Sequence, residues 1–169
     1  VGFSQTLIWI FLLAAAITIV ISLDYLPRHD IEKGEYYPLV LFATAGMVLL
    51  AQSTNLIVMF LAIELVSIPL YILAGFAYPR VTSEEAAMKY LLLGAFASGF
   101  FVYGLSLIYG QTGTVQLFSV DGSDSIASYL DRATLVAENN VFLFAGSALI
   151  LVTLGFKVAL VPFHNWTPD

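Results

Sequence analysis

Glu64, Lys89 and Lys157 stand inside long apolar runs, where charge is costly and the chemistry such side chains offer is proton exchange. Glu64 lies in Phe60-Leu-Ala-Ile-Glu-Leu-Val-Ser-Ile-Pro69, about twelve residues short of the end of its run, or ~18 Å at 1.5 Å per helical residue. Its side chain cannot extend to water from that depth. A carboxylate there must be paired or protonated; the alternative is a neutral, hydrogen-bonded Glu that only joins two helices. Lys89 lies about seven residues past Thr82-Ser83-Glu84-Glu85, roughly 10 Å into its run. A lysine that shallow can also snorkel its ammonium toward the headgroups. Lys157 is about sixteen residues into the last run, with Pro162 five positions on. Proline removes a helix hydrogen bond, and a break at membrane depth needs protein or water around it. A desolvated lysine beside such a break is suited to trading protons, with a purely structural buried lysine as the alternative. His164 follows the break; its imidazole exchanges protons near neutral pH, or it simply packs against Phe163 and Trp166.

The elements that must hold these residues follow from composition. Apolar residues make up 60% of the 169-residue chain and charged residues 11%, and the mean hydropathy is +0.91. Soluble domains carry about 25% charged residues, so lipid or other apolar subunits must cover this surface. Five apolar runs are expected as spans, at 3–23, 37–54, 56–76, 84–109 and 141–166, the last broken near Pro162. Backbone polar groups in hydrocarbon must be satisfied internally, so runs of this length are helices, and no dyad alternation points to a barrel. The fold class is therefore an all-α, polytopic transmembrane bundle forming one transmembrane domain over 1–169. Thr82 and Glu85 fit a capping box at the start of the fourth span. The segment 111–140 reads as a loop, with a short amphipathic helix over 125–137 as the alternative.

Loops after the first and third spans carry Arg28, Lys33 and Arg80, whereas those after the second and fourth carry only Arg132. The positive-inside bias places the first pair on the cytoplasmic side. In such antiparallel spans Glu64 and Lys89 approach from the same side, and helix rotation decides whether they touch. Gly94 with Ser98, and Ala95 with Gly99, have the spacing of close helix packing. The chain has no cysteine, which excludes disulfides, thiolate metal sites and cysteine-held iron–sulfur clusters. No pair of histidines or carboxylates falls at metal-ligand spacing on one helix, and few basic residues speak for nucleic acid. His29 sits in a charged loop and reads as solvated. The chain opens on Val without a basic leader and stops at Asp169. It reads as a piece of something longer whose first run is a span, not a signal peptide.

Phe60-Leu-Ala-Ile-Glu64-Leu, Glu85-Ala-Ala-Met-Lys89-Tyr-Leu-Leu-Leu-Gly-Ala-Phe-Ala-Ser98, Ile108-Tyr-Gly-Gln-Thr-Gly113 and Gly155-Phe-Lys157-Val-Ala-Leu-Val-Pro162-Phe-His164-Asn-Trp-Thr-Pro-Asp169 closely resemble the antiporter-like subunits of complex I, the proton-pumping NADH:quinone oxidoreductase. The run from Lys89 to Ser98 is most similar to the subunit N, or chain two, branch. The resemblance is specific from Tyr37 to Asp169. It implies about fourteen spans in two inverted five-helix repeats, of which this chain covers the third to the first half of the broken seventh. It further implies that Glu64 is the mid-membrane Glu, Lys89 its neighbouring Lys and Lys157 the channel lysine. His164 falls within a Pro-Phe-His-Trp-like motif, written here Pro162-Phe-His-Asn-Trp166. The family mechanism is electrostatic: the Glu–Lys pair closes or opens and drives the channel lysine's proton onward. Flavin, iron–sulfur clusters and quinone belong to other subunits, so this chain is expected to bind no cofactor and no metal and to have no catalysis of its own. Its partners are other membrane-arm subunits and lipid, with no nucleic acid, and its place is a bacterial inner membrane, or a mitochondrial inner or thylakoid membrane. Two rivals stand: the large subunit of a multi-subunit cation/proton antiporter, and a membrane scaffold whose buried charges only orient helices.

Overall fold

A computed structural model describes residues 2–119, 122–136 and 140–161. The elements are α1 (Gly2–Arg28), α2 (Tyr36–Gln52), α3 (Leu56–Ala74), α4 (Val81–Thr112), α5 (Ile126–Val136) and α6 (Val141–Lys157). Among the described residues the only β pairing is an isolated antiparallel bridge between Asn55 and Gln116, so the architecture is all-helical. Helices α1, α3 and α4 are long and apolar enough to cross a bilayer. Helices α2 and α6 have 17 residues each and rise about 26 Å, a little under the ~30 Å hydrocarbon core. Apolar side chains cover the outside: Trp9 is 65% exposed, Phe96 69% and Phe144 68%. Such surface must meet lipid or protein.

The chain divides into two compact units, one built from residues 2–52 and 61–93, the other from 53–60 and 94–161. In the first unit α1 packs on α2, and the Ser22 and Tyr36 hydroxyls share a hydrogen bond of 3.0 Å. Helix α2 lies so close to α3 that a Cβ on Gly46 would stand 2.8 Å from the Val66 backbone nitrogen. The loop between α1 and α2 meets the turn after α3: Lys33 Nζ donates to the Phe76 carbonyl at 3.4 Å and lies over the Phe76 ring. Arg80 donates to the His29 carbonyl at 3.3 Å. His29, expected to be merely solvated, thus lends its backbone to this junction.

In the second unit α4 and α6 cross at Gly104 and Gly146, where a Cβ on Gly146 would lie 2.5 Å from the Gly104 carbonyl oxygen. The Thr153 hydroxyl, 1% exposed, donates across to the Ala97 carbonyl at 2.8 Å. Gly94 is buried as expected of a packing residue, but Ala95 and Gly99 are exposed, and the close crossing falls at Gly104 instead. Asn55 caps α3, its side-chain oxygen accepting from the Ile57 and Val58 N–H groups at 2.9 and 3.2 Å.

Within the segment 111–140, the alternative reading of a short helix over 125–137 is the one the structure follows, as α5. Residues 115–117 lie between the starts of two helices, with Leu117 N–H donating to Thr54 and Ile126 N–H donating to Gln116, each at 2.8 Å. Helix α5 then begins on a reciprocal serine cap. The Ser128 N–H donates to Ser125 Oγ at 3.1 Å and the Ser125 N–H to Ser128 Oγ at 2.9 Å. Two otherwise orphaned donors are satisfied. At the start of α4 the opposite holds. Thr82 lies inside the first turn, and the Ser83 and Glu84 N–H groups bond to Arg80, so the expected Thr82–Glu85 box does not open the helix.

Candidate functional site

Glu64 sits near the midpoint of α3 and is half-buried. Its face of the helix continues one and two turns on, at Ser67 (2% exposed) and Tyr71 (6% exposed). The Ser67 hydroxyl donates to the Ile63 carbonyl at 2.6 Å. The Tyr71 ring meets Tyr90 of α4 edge-on, 4.6 Å between centroids at 88°. Glu64 therefore belongs to a polar stripe at i, i+3 and i+7 along an otherwise apolar helix. Sequence reasoning singled out Glu64 but passed over Ser67, Tyr71 and Tyr90. The spacing itself was the available signal, since those offsets share one helix face.

Lys89 is on α4. Its ammonium lies 2.5 Å from the Glu85 carboxylate one turn back, and both side chains are more than half exposed, at 57% and 59%. The antiparallel register of α3 and α4 is fixed by Tyr71 against Tyr90 and Gly75 against Ala87. It sets Lys89 level with the turn at Ile72, roughly eight residues or ~12 Å along the axis from Glu64. Glu85, read as a capping residue, is instead the carboxylate beside Lys89.

Lys157 corrects an expectation. The expected span runs on to 166 with Lys157 inside it, but Lys157 is the last residue of α6 and is half-buried. The helix closes there in a Schellman motif. The Leu160 N–H donates to Gly155 at 2.9 Å and the Ala159 N–H to Phe156 at 3.0 Å, with Ala159 in the left-handed region at φ 52°. The ammonium of Lys157 thus stands at the negative end of the α6 dipole. Pro162 and His164, the expected break and the second candidate beside it, lie outside the described residues. Lys157 belongs to the second compact unit, Glu64 and Lys89 to the first. Among the described residues no three His, Asp or Glu side chains are grouped to hold a metal.

Residues 53–169 match the family model described as "NADH:quinone oxidoreductase/Mrp antiporter, TM". NADH-quinone oxidoreductase subunit N 2 of Roseiflexus castenholzii is 58% identical over 168 residues, 99% of this chain and 32% of that protein. NADH-quinone oxidoreductase subunit N of Chloroflexus aggregans is 58% identical over 167 residues, 99% of this chain and 33% of that protein. The chain thus spans about a third of the length of these curated relatives. Among solved structures, respiratory complex I from Thermus thermophilus with bound aureothin contains a chain that superposes with a TM-score of 0.75. That match has 39% identity and covers 99% of this chain and 33% of the other. The Mrp complex from Dietzia sp. DQ12-45-1b gives a TM-score of 0.61 at 31% identity, covering 78% of this chain and 23% of the other.

Proposed function

Because the chain belongs to the membrane family shared by NADH:quinone oxidoreductase and Mrp antiporters, we propose that it carries one half of a proton path in the membrane arm of a complex I. Glu64, Lys89 and Lys157, with His164, are the proton-exchanging groups in this reading. The observation that carries it is Glu64: a carboxyl near the midpoint of α3, half-buried and followed along its face by two buried hydroxyls. Charge at such depth is expensive, and apolar residues would pack a helix pair better. Lys157 adds a cation at the C-terminal end of α6, where backbone carbonyls present partial negative charge. Energy from quinone reduction elsewhere in the complex would shift these charges and move protons between them. Flavin, iron–sulfur clusters and quinone are assigned to other subunits, and this chain acts as a translocase element with no chemistry of its own. Neighbouring membrane-arm subunits and lipid are its partners, in a bacterial inner membrane.

Lys157→Met in the full-length subunit tests this reading, with proton pumping measured per NADH oxidised after reconstitution into liposomes. Pumping is expected to fall severely while the complex assembles. Unchanged pumping in an intact complex sinks the proposal. A second reading, the large subunit of a cation/proton antiporter, draws on the likeness to the Mrp complex. Purification in mild detergent separates the two, since the first reading requires peripheral redox subunits to come with the chain and the second only membrane subunits.

A further inference from the structure

A hydroxyl in a membrane helix usually bonds to its own backbone. Ser98, Ser106 and Ser147 each donate to the carbonyl four residues back, at 3.0, 2.8 and 2.8 Å, as serine and threonine do inside helices. Thr153 departs from that habit. Its hydroxyl lies 2.8 Å from the Ala97 carbonyl of α4 and 3.3 Å from the Leu149 carbonyl of its own helix, and its one proton goes to the nearer acceptor. Thr153 is 1% exposed, so water does not compete for the bond. A residue needed there only for packing could be valine, which buries no hydroxyl.

Thr153 also falls on a seam. Leu143, Gly146, Ile150 and Thr153 are buried along α6 at alternating steps of three and four, and Gly94, Ala97, Phe101 and Gly104 are buried along α4 at the same steps. Such spacing marks the contact line of two packed helices. Two contacts fix its antiparallel register: Gly146 against Gly104 and Thr153 against Ala97. The next position along α6 is the half-buried Lys157, which this register brings to the turn of Gly94, a residue with no side chain. In the last turn of the helix the Lys157 N–H bonds to the Thr153 carbonyl. Thr153 is thus joined to α4 by its side chain and to Lys157 by its backbone. Neither α4 from Gly94 onward nor α6 ahead of Lys157 carries an Asp, Glu, Lys, Arg or His, so Lys157 is the one charge on this line.

We propose that Thr153 is the positioning residue for Lys157: its bond to the Ala97 carbonyl pins the last turns of α6 on α4 and sets the depth and direction at which Lys157 leaves the helix. This rests on the proton-carrying role given to Lys157 above. Without the bond, the end of α6 can shift along or away from α4, and Lys157 moves with it.

Thr153→Val, Thr153→Ser and Lys157→Met in the full-length subunit, assembled in its complex and reconstituted into liposomes, test the proposal. Proton pumping is read per NADH oxidised, and the rate of NADH oxidation shows that the complex is intact. Thr153→Val is expected to oxidise NADH at the wild-type rate and to pump about fivefold less per NADH, the factor that goes with one ordinary hydrogen bond. Thr153→Ser keeps the hydroxyl and should pump like wild type, a rescue that separates the bond from the packing of a methyl group. Wild-type pumping in Thr153→Val overturns the proposal, as does an equal loss in Thr153→Ser. If Thr153→Val does not assemble, Thr153→Ala is compared with Thr153→Ser, and equal pumping by those two overturns the proposal. Should Lys157→Met pump like wild type, the carrier role of Lys157 fails and the proposal falls with it. A loss in Lys157→Met with none in Thr153→Val leaves the carrier role standing and removes only the positioning residue.

Discussion

Replacing Gly146 with alanine probes the tightest contact in the second unit. Its Cβ would stand 2.5 Å from the Gly104 carbonyl oxygen, 2.8 Å from Ile108 Cγ1 and 3.2 Å from the Ile108 nitrogen. Two of these are backbone atoms, so no rotamer change relieves the clash, and α4 and α6 must part by roughly 1 Å to restore ordinary contact. Overpacking of this kind costs about 1–3 kcal/mol. Against it stands the helix preference of alanine over glycine, about 1 kcal/mol. The parting also stretches the Thr153–Ala97 hydrogen bond from 2.8 Å beyond its useful range. The net expectation is a loss of about 1–2 kcal/mol. Gly104→Ala meets the reciprocal obstacle, 2.6 Å from the Gly146 carbonyl oxygen. Once the helices have parted for one methyl, the second meets less, so the double variant should lose less than the two single losses together. The assay is equilibrium unfolding of the full-length subunit in mixed micelles, titrated with a denaturing detergent and followed by helix content. A Gly146→Ala protein as stable as wild type, or single losses that simply add in the double, refutes the close crossing.

Ala159→Gly should raise the same unfolding free energy by up to ~1 kcal/mol, because Ala159 holds φ 52° at the position where a Schellman motif favours glycine; a loss of that size would speak against the motif. Asn55→Ala should cost about 1 kcal/mol and speed amide hydrogen exchange at Ile57 and Val58, whose N–H groups the Asn55 oxygen receives. Unchanged exchange at those two amides would show that the cap contributes nothing.

Several elements were legible because hydrocarbon leaves the chain few choices. The apolar runs around Glu64 and Lys89 became α3 and α4, since no other backbone arrangement satisfies its own polar groups there. Where water returns, pattern and structure part. Thr82-Ser-Glu-Glu85 has the form of a capping box, yet Glu85 lies beside Lys89 one turn ahead, and α4 starts at Val81, two residues before a Thr82 cap would start it. Ser125 and Ser128 lack the usual glutamate of that motif but perform the same exchange of hydrogen bonds, and α5 forms where the alternative reading of 125–137 as a short amphipathic helix puts it. The end of α6 was misplaced because a proline was read as breaking the helix where it stands. The helix ends at Lys157, ahead of the proline, in the turn closed by the Ala159 and Leu160 N–H groups. Ser67 and Tyr71 escaped because serine and tyrosine are common in membrane helices, and only their offset from Glu64 distinguishes them.

The three charges now differ in how the fold accommodates them. Glu64 is near the midpoint of its helix, on the face that carries the buried Ser67 and Tyr71. Lys89 has a carboxylate of its own helix within 2.5 Å, a partner that stays with it whatever α4 does. Lys157 is at the C-terminal end of α6, where carbonyl dipoles supply partial negative charge. A proton path needs stations that change charge without tearing the surrounding structure. Hydroxyls and helix ends meet that need, because they adapt by small reorientations, whereas a fixed ion pair resists. On the proposed proton-carrying reading, Lys89, with the Glu85 carboxylate beside it, is the group expected to exchange its proton least readily. A Lys89→Met substitution should then slow pumping less than Lys157→Met does under the same assay, and an equal or larger loss at Lys89 would reverse that ranking.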